Sequence, residues 1–195
     1  MRMRSLGFTV LALLCLSFIK TAYAEDVERF HATVTPYVGT TVWNENLGLE
    51  NKLLGGARFG LMLNPSIGVE GTWGVSGTET DFLPTTSVEM THFGIDLVYN
   101  IFPRQSVIPY LIGGWSQLNY GSVPANPRVQ AGKFVGFEFG GGLKIGLGKP
   151  GGPISLRLDV RDVVTKLLDS FPGYDDAEHN VLVAIGFQFA LGRTE

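Results

Sequence analysis

The sequence predicts an all-β protein, an eight-stranded antiparallel up-and-down transmembrane β-barrel. Three observations predict it. Eight segments alternate apolar and polar residues with a period of two, which puts the two sets on opposite faces of a strand. Each runs for roughly ten residues or more, the length a tilted strand needs to cross a bilayer. The connections alternate between short, turn-rich ones and longer polar ones, and the charges inside the segments fall on the face that also carries the glycines.

The first 24 residues stand apart from this pattern. "MRMR" is basic, "SLGFTVLALLCLSFI" is apolar, and "AYA" supplies small residues at Ala22 and Ala24 before "ED". A positive start, a short apolar run and an A-x-A ending make residues 1–24 a cleavable secretory signal peptide. The apolar run falls short of the roughly 20 residues of a spanning helix. Leu14 precedes Cys15 where a lipoprotein site has a small residue, so an anchor at Cys15 is rejected. Residues 25–195 then form one domain without cysteine, in which no disulfide forms. Of 15 Lys and Arg against 18 Asp and Glu, the leader removes Arg2, Arg4 and Lys20, leaving 12 basic residues and a net charge of −6. That balance excludes a basic nucleic-acid-binding surface.

The strands follow in order. Phe30 to Trp43 sets Phe30, Ala32, Val34, Pro36, Val38 and Val42 against His31, Thr33, Thr35, Tyr37 and Thr41. Lys52 to Asn64 sets Leu53, Ala57, Phe59, Leu61 and Leu63 against Lys52, Gly56, Arg58 and Gly60. Ile67 to Ser76 sets Ile67, Val69, Trp73 and Val75 against Gly68, Glu70, Thr72 and Gly74. Glu89 to Phe102 sets Phe93, Ile95, Leu97, Tyr99 and Ile101 against His92, Gly94, Asp96 and Asn100. Ile108 to Tyr120 is a strand whose phase Gly113 and Gly114 blur. Phe134 to Gly148 sets Val135, Phe137, Phe139, Leu143, Ile145 and Leu147 against Gly136, Glu138, Gly140, Gly142, Lys144 and Gly146. Ile154 to Val164 sets Ile154, Leu156, Leu158 and Val160 against Ser155, Arg157, Asp159 and Arg161. Asn180 to Leu191 sets Val181, Val183, Ile185, Phe187, Phe189 and Leu191 against Asn180, Ala184, Gly186 and Gln188.

"NPS" (64–66), "PRQSV" (103–107) and "GKPGGP" (148–153) are short turns. The connections near 44–51, 76–88, 121–132 and 165–179 are expected to be longer polar loops. Short turns on one side and long loops on the other match outer-membrane barrels, with both termini on the periplasmic side. A soluble barrel would bury its apolar face instead. Here the apolar face carries Phe, Leu, Ile and Trp in bulk, too much for a narrow eight-stranded interior, whereas the glycine-rich face suits it. The apolar face therefore meets outer-membrane lipid, with Phe30, Tyr99, Phe187 and Phe189 toward the periplasmic rim and Trp73 toward the other.

On that reading Arg58, Glu70, His92, Asp96, Glu138, Lys144, Arg157, Asp159 and Arg161 line the lumen. Leaving His92 aside, these are four acids and four bases, and buried charges must be paired. If the turn at 148–153 pairs Leu147 with Ile154, Glu138–Arg161 and Lys144–Asp159 become diagonal neighbours. A closed, salt-bridged lumen is the expectation.

The stretches "GARFGLMLNPSIGVEGTWG", "GGGLKIGLG", "SLRLDVRDVV" and "NVLVAIGFQFALG" give the chain its resemblance to small single-domain outer-membrane β-barrels of the OmpA/OmpX-like superfamily. That resemblance implies residence in the bacterial outer membrane, as a monomer. The last strand carries Gly186, Phe189 and Leu191 at G-x-x-F-x-L spacing, which resembles the C-terminal signal read by the outer-membrane assembly machinery. Gly-Arg-Thr-Glu follows it, where many members end on an aromatic residue. Almost nothing follows Leu191, so the peptidoglycan-binding domain of OmpA itself is not carried over.

The sequence holds no motif for a cofactor or metal. "GGGLKIG" lacks the third glycine of G-x-G-x-x-G, neither Gly132-Lys133 nor Gly148-Lys149 completes a P-loop, and His31, His92 and His179 lie in separate segments. Asp169, Asp175, Asp176 and Glu178 lack EF-hand spacing and read as a solvated acidic loop. Some small barrels of this kind are lipid A deacylases with a Ser/His pair, but no H-x-S occurs here. The expected function is non-enzymatic, envelope-structural or through surface loops whose partner is unknown. The alternatives are a small passive channel for hydrophobic or small polar solutes and, further off, a lipid-modifying enzyme.

Overall fold

The structure, a computed structural model, describes residues 30–42, 53–80, 83–121, 132–148, 152–165 and 178–191. The leader with Ala22 and Ala24, and Asp169, Asp175 and Asp176, lie outside them. Eight strands follow one another: β1 (His31–Val42), β2 (Leu53–Met62), β3 (Ile67–Thr80), β4 (Leu83–Asn100), β5 (Val107–Tyr120), β6 (Gly132–Gly146), β7 (Ile154–Thr165) and β8 (Glu178–Leu191). Each pairs antiparallel with its sequence neighbour, and β8 pairs back with β1 to close the barrel. Closure leaves no sheet edge with unpaired backbone groups in lipid, which is the requirement for a β structure in a bilayer. No helix among the described residues is long and apolar enough to cross a membrane.

The register is staggered. Residues that face one another across neighbouring strands run round the barrel from Ala32 through Leu61, Val69, Leu97, Gly113, Phe139, Asp162 and Val181, and return to β1 at Val42, ten residues on. Stagger of this kind goes with strands tilted by roughly 35–45° and an eight-stranded interior just wide enough for side chains.

Alternation sorts the two faces. Val38, Phe59, Ile95, Leu97, Phe137 and Ile185 are exposed on the outside, whereas Arg58, Glu70, Asp96, Glu138 and Arg157 are buried inside. In β5 the phase is settled: Tyr110, Ile112, Ser116, Leu118 and Tyr120 are buried, and Leu111 and Trp115 face out. Where the sequence suggested a polar loop at 76–88, β3 and β4 instead continue pairing, from Gly77 with Glu89 to Glu79 with Ser87. The segment carries Thr78, Thr80, Thr85 and Thr86, and threonine favours strands. Its polarity reflects a position above the apolar band rather than a loss of strand structure.

The 64–66 turn is fixed by two side chains. Asn64 Oδ1 accepts from the backbone N–H groups of Ser66 and Ile67, each at 2.8 Å, and Asn100 Nδ2 donates to Pro65 O at 2.9 Å. At the 148–153 turn, Leu147 N donates to Ile154 O at 2.9 Å, so these residues do pair.

Candidate functional site

The interior is stacked in three levels. Toward the loop end lies an apolar layer of Leu54, Met90, Leu118, Tyr120, Val163 and Leu182, with Tyr37 beneath it and Phe134 packed against it. The Tyr120 and Phe134 rings meet edge to face at 5.8 Å. The middle is charged. Toward the turn end Val98, Tyr110 and Ile112 form a second apolar cluster, beyond which a cavity opens among the turns.

The charged level is organised by β7, whose alternation brings Arg157, Asp159 and Arg161 onto one face. Arg161 lies 2.8 Å from Asp96 Oδ2, 3.0 Å from Glu70 Oε1, 3.5 Å from Asp159 Oδ1 and 3.6 Å from Glu138 Oε1. Arg157 makes a two-pronged pair with Glu70, with Nη2 to Oε1 at 2.9 Å, and its Nε donates to the Tyr110 hydroxyl at 2.9 Å. Such forked pairs are the strongest that arginine makes with a carboxylate. Arg58 Nη1 donates to Asp159 Oδ2 at 2.5 Å, and its guanidinium lies 4.0 Å above the Tyr37 ring. The Tyr110 hydroxyl donates to Asp159 Oδ1.

The structure thus brings Arg58, Glu70, Asp96, Glu138, Arg157, Asp159 and Arg161 into one cluster. His92 joins at its edge, with Nε2 3.3 Å from Glu138 Oε2. The diagonal Glu138–Arg161 contact exists. The diagonal Lys144–Asp159 contact does not: Asp159 is taken by three arginines. Lys144 Nζ instead donates to Asn100 Oδ1 at 2.9 Å and sits 4.9 Å over the Tyr110 ring.

Glycines make this density feasible. A Cβ on Gly94 would collide with the Glu138 carboxylate, and one on Gly142 would lie 2.7 Å from the Tyr110 hydroxyl.

Sequence reasoning passed over Tyr37, Asn100, Tyr110 and Ser116 as site residues. Tyr37 and Asn100 already stood on the polar face. Tyr110 and Ser116 required the phase of β5, which Trp115 facing outward would have supplied.

One constellation mimics catalytic machinery. His92 Nε2 lies 3.1 Å from Ser116 Oγ and 3.3 Å from Glu138 Oε2. A serine nucleophile and its orienting carboxylate must sit on opposite ring nitrogens. Here both approach the same nitrogen, Nδ1 has no partner among the described residues, and all three side chains are buried. On the outer face polar pairs border the apolar band toward the loop end, where Gln117 Nε2 donates to Asn119 Oδ1 at 2.8 Å and His179 Nδ1 lies 2.7 Å from Asp162 Oδ2. In β8 Gly186 faces inward against Tyr37, whereas Phe189 and Leu191 face outward. No group of side chains able to hold a metal ion occurs among the described residues.

A family model described as the outer membrane protein beta-barrel domain matches residues 8–189. The chain belongs to that family. Membership places it in the bacterial outer membrane. Solved outer-membrane barrels share the fold. Neisserial surface protein A is 12% identical with a TM-score of 0.58, the match covering 85% of this chain and 99% of that one. OprG from Pseudomonas aeruginosa is 10% identical with a TM-score of 0.56, over 89% of this chain and 100% of that one. The N-terminal β-barrel domain of Pseudomonas aeruginosa OprF is 13% identical with a TM-score of 0.54, over 82% and 97%. At these identities the likeness is one of fold. No curated protein sequence matches the chain significantly.

Proposed function

We propose that this outer-membrane barrel is a non-enzymatic envelope protein with a lumen closed to solutes. Residues 1–24 direct export and are cleaved after Ala24, the C-terminal strand engages the assembly machinery, and the loops between β1 and β2, β5 and β6, and β7 and β8 face partners outside the cell. The observation that carries the reading is the stacking of levels within the lumen. A charged cluster in which each arginine meets at least one carboxylate lies between two apolar layers. An ion crossing it would have to part arginine–carboxylate pairs and then pass Leu54, Met90, Leu118 and Leu182 without hydration, and both steps are expensive. The non-enzymatic reading is supported by the buried, one-nitrogen arrangement of Ser116, His92 and Glu138.

Single-channel recording of the purified barrel in a planar bilayer tests it. The expected trace stays at baseline across ±100 mV. Steady, reproducible openings would replace the closed reading with the passive-channel one. Lipid A of altered mass in cells overproducing the barrel would favour an enzyme instead.

A further inference from the structure

We propose that the turn end of the lumen is a binding site for a small oxyanion, a carboxylate or a phosphate, with Lys144 as its cation. A cavity of about 80 Å³ opens there, framed by Pro65, Pro103 and Pro153. It has room for on the order of five water-sized groups. Lys144 lines it and is buried, only 5% exposed.

The ammonium group has three N–H donors. One goes to Asn100, and the Tyr110 ring covers a second side. No carboxylate among the described residues lies within ion-pair distance of Lys144, whereas Arg58, Arg157 and Arg161 each have one or more. The four lumen carboxylates belong to the cluster on the far side of Tyr110. A buried cation without a counterion is costly, and the cavity is where a counterion can arrive.

The second observation is Gln188. Its side chain lines the same cavity, is nine-tenths buried, and its Oε1 has no hydrogen-bond partner among the described residues. An amide can present an acceptor or, turned over, a donor. Turned so that its N–H groups face the cavity, and with the hydroxyl groups of Ser106 and Ser155 on the wall, it adds donors for an oxyanion. The apolar layer at the other end confines access to the turn side, the periplasm.

The test is an amide chemical-shift titration of the mature, isotopically labelled barrel in detergent micelles. Sodium acetate and sodium phosphate are added separately, with ionic strength held by sodium chloride. Saturable shifts at Asn100, Lys144, Gly146 and Gln188, with none at Asn119 or His179, are the expected result. Acetate alone saturating assigns a carboxylate site, phosphate alone a phosphoryl site, and both a general oxyanion site. Neither saturating overturns the proposal. Lys144→Met should weaken binding about tenfold or more, and Lys144→Arg should retain it. Unchanged affinity in a folded Lys144→Met barrel, judged by its heat-modifiable gel mobility, also overturns it. If Lys144→Met does not fold, Gln188→Leu takes its place, with unweakened binding again the overturning result.

Discussion

Arg161 shows most clearly what a single residue does here. Its guanidinium is buried and reaches Glu70, Asp96, Asp159 and Glu138, which come from β3, β4, β7 and β6. Replacing it with Met would leave four carboxylates crowded together with one fewer cation. Breaking a buried pair in this way costs about 3–5 kcal/mol. Arg161→Met is therefore expected to lower the urea midpoint of the micelle-embedded barrel markedly, and an unchanged midpoint would show that the cluster does not hold the barrel together. That Arg161 faces inward was legible from its phase with Arg157 and Asp159. Its contact with Glu138 was legible too, because both lie on one hairpin. The contacts with Asp96 and Glu70 were not, since they cross the lumen and depend on how far the sheet is staggered before it closes.

At the level of the strand, legibility depended on how different the two faces are. β6 and β8 declare themselves because one face is large and apolar and the other small or polar. β5 does not, because its inward face carries Tyr110, Ile112 and Leu118, which build the apolar layers above and below the charges. An interior that is apolar at two levels looks like a lipid-facing surface when read residue by residue. The β3–β4 hairpin misled in the opposite sense, since beyond the lipid a strand has no need of an apolar face. The same dependence on depth sets the tolerance of the outer surface. Ile95, exposed on the outside of β4, is expected to lose about 2–4 kcal/mol of stability on replacement by Arg, whereas Asn119→Arg at the polar border should cost about 0–1 kcal/mol. Equilibrium unfolding of both variants in lipid vesicles would check this, and equal effects would mean that the apolar band is misplaced.

For the whole molecule, strand number and direction followed from the alternation and the turns, and the family match and shared folds agree with them. The closing shift of ten residues did not follow, because it is a property of all eight pairings together. The C-terminal strand carries a prediction at this scale. Phe189 and Leu191 face outward, where an assembly factor can read them without disturbing the lumen. Replacing both with Ala should reduce the folded fraction in cells several-fold, seen as loss of the heat-modifiable band, while refolding of the purified chain in detergent stays close to that of the parent. Equal loss in both settings would make these residues structural rather than a signal. The reach of β7 has a further consequence, for the order of events. Arg58 and Asp159 are separated by 101 residues, Glu70 and Arg157 by 87, and Asp96 and Arg161 by 65, and none of these pairs joins adjacent strands. They cannot exist in any hairpin or in an open sheet, and they come into being only as the β1–β8 seam zips. Until that moment Arg58, Glu70 and Asp96 lack these partners and stay hydrated, and afterwards the same charges hold the seam shut. The charged cluster thus works as a latch that engages once, at the last step of assembly.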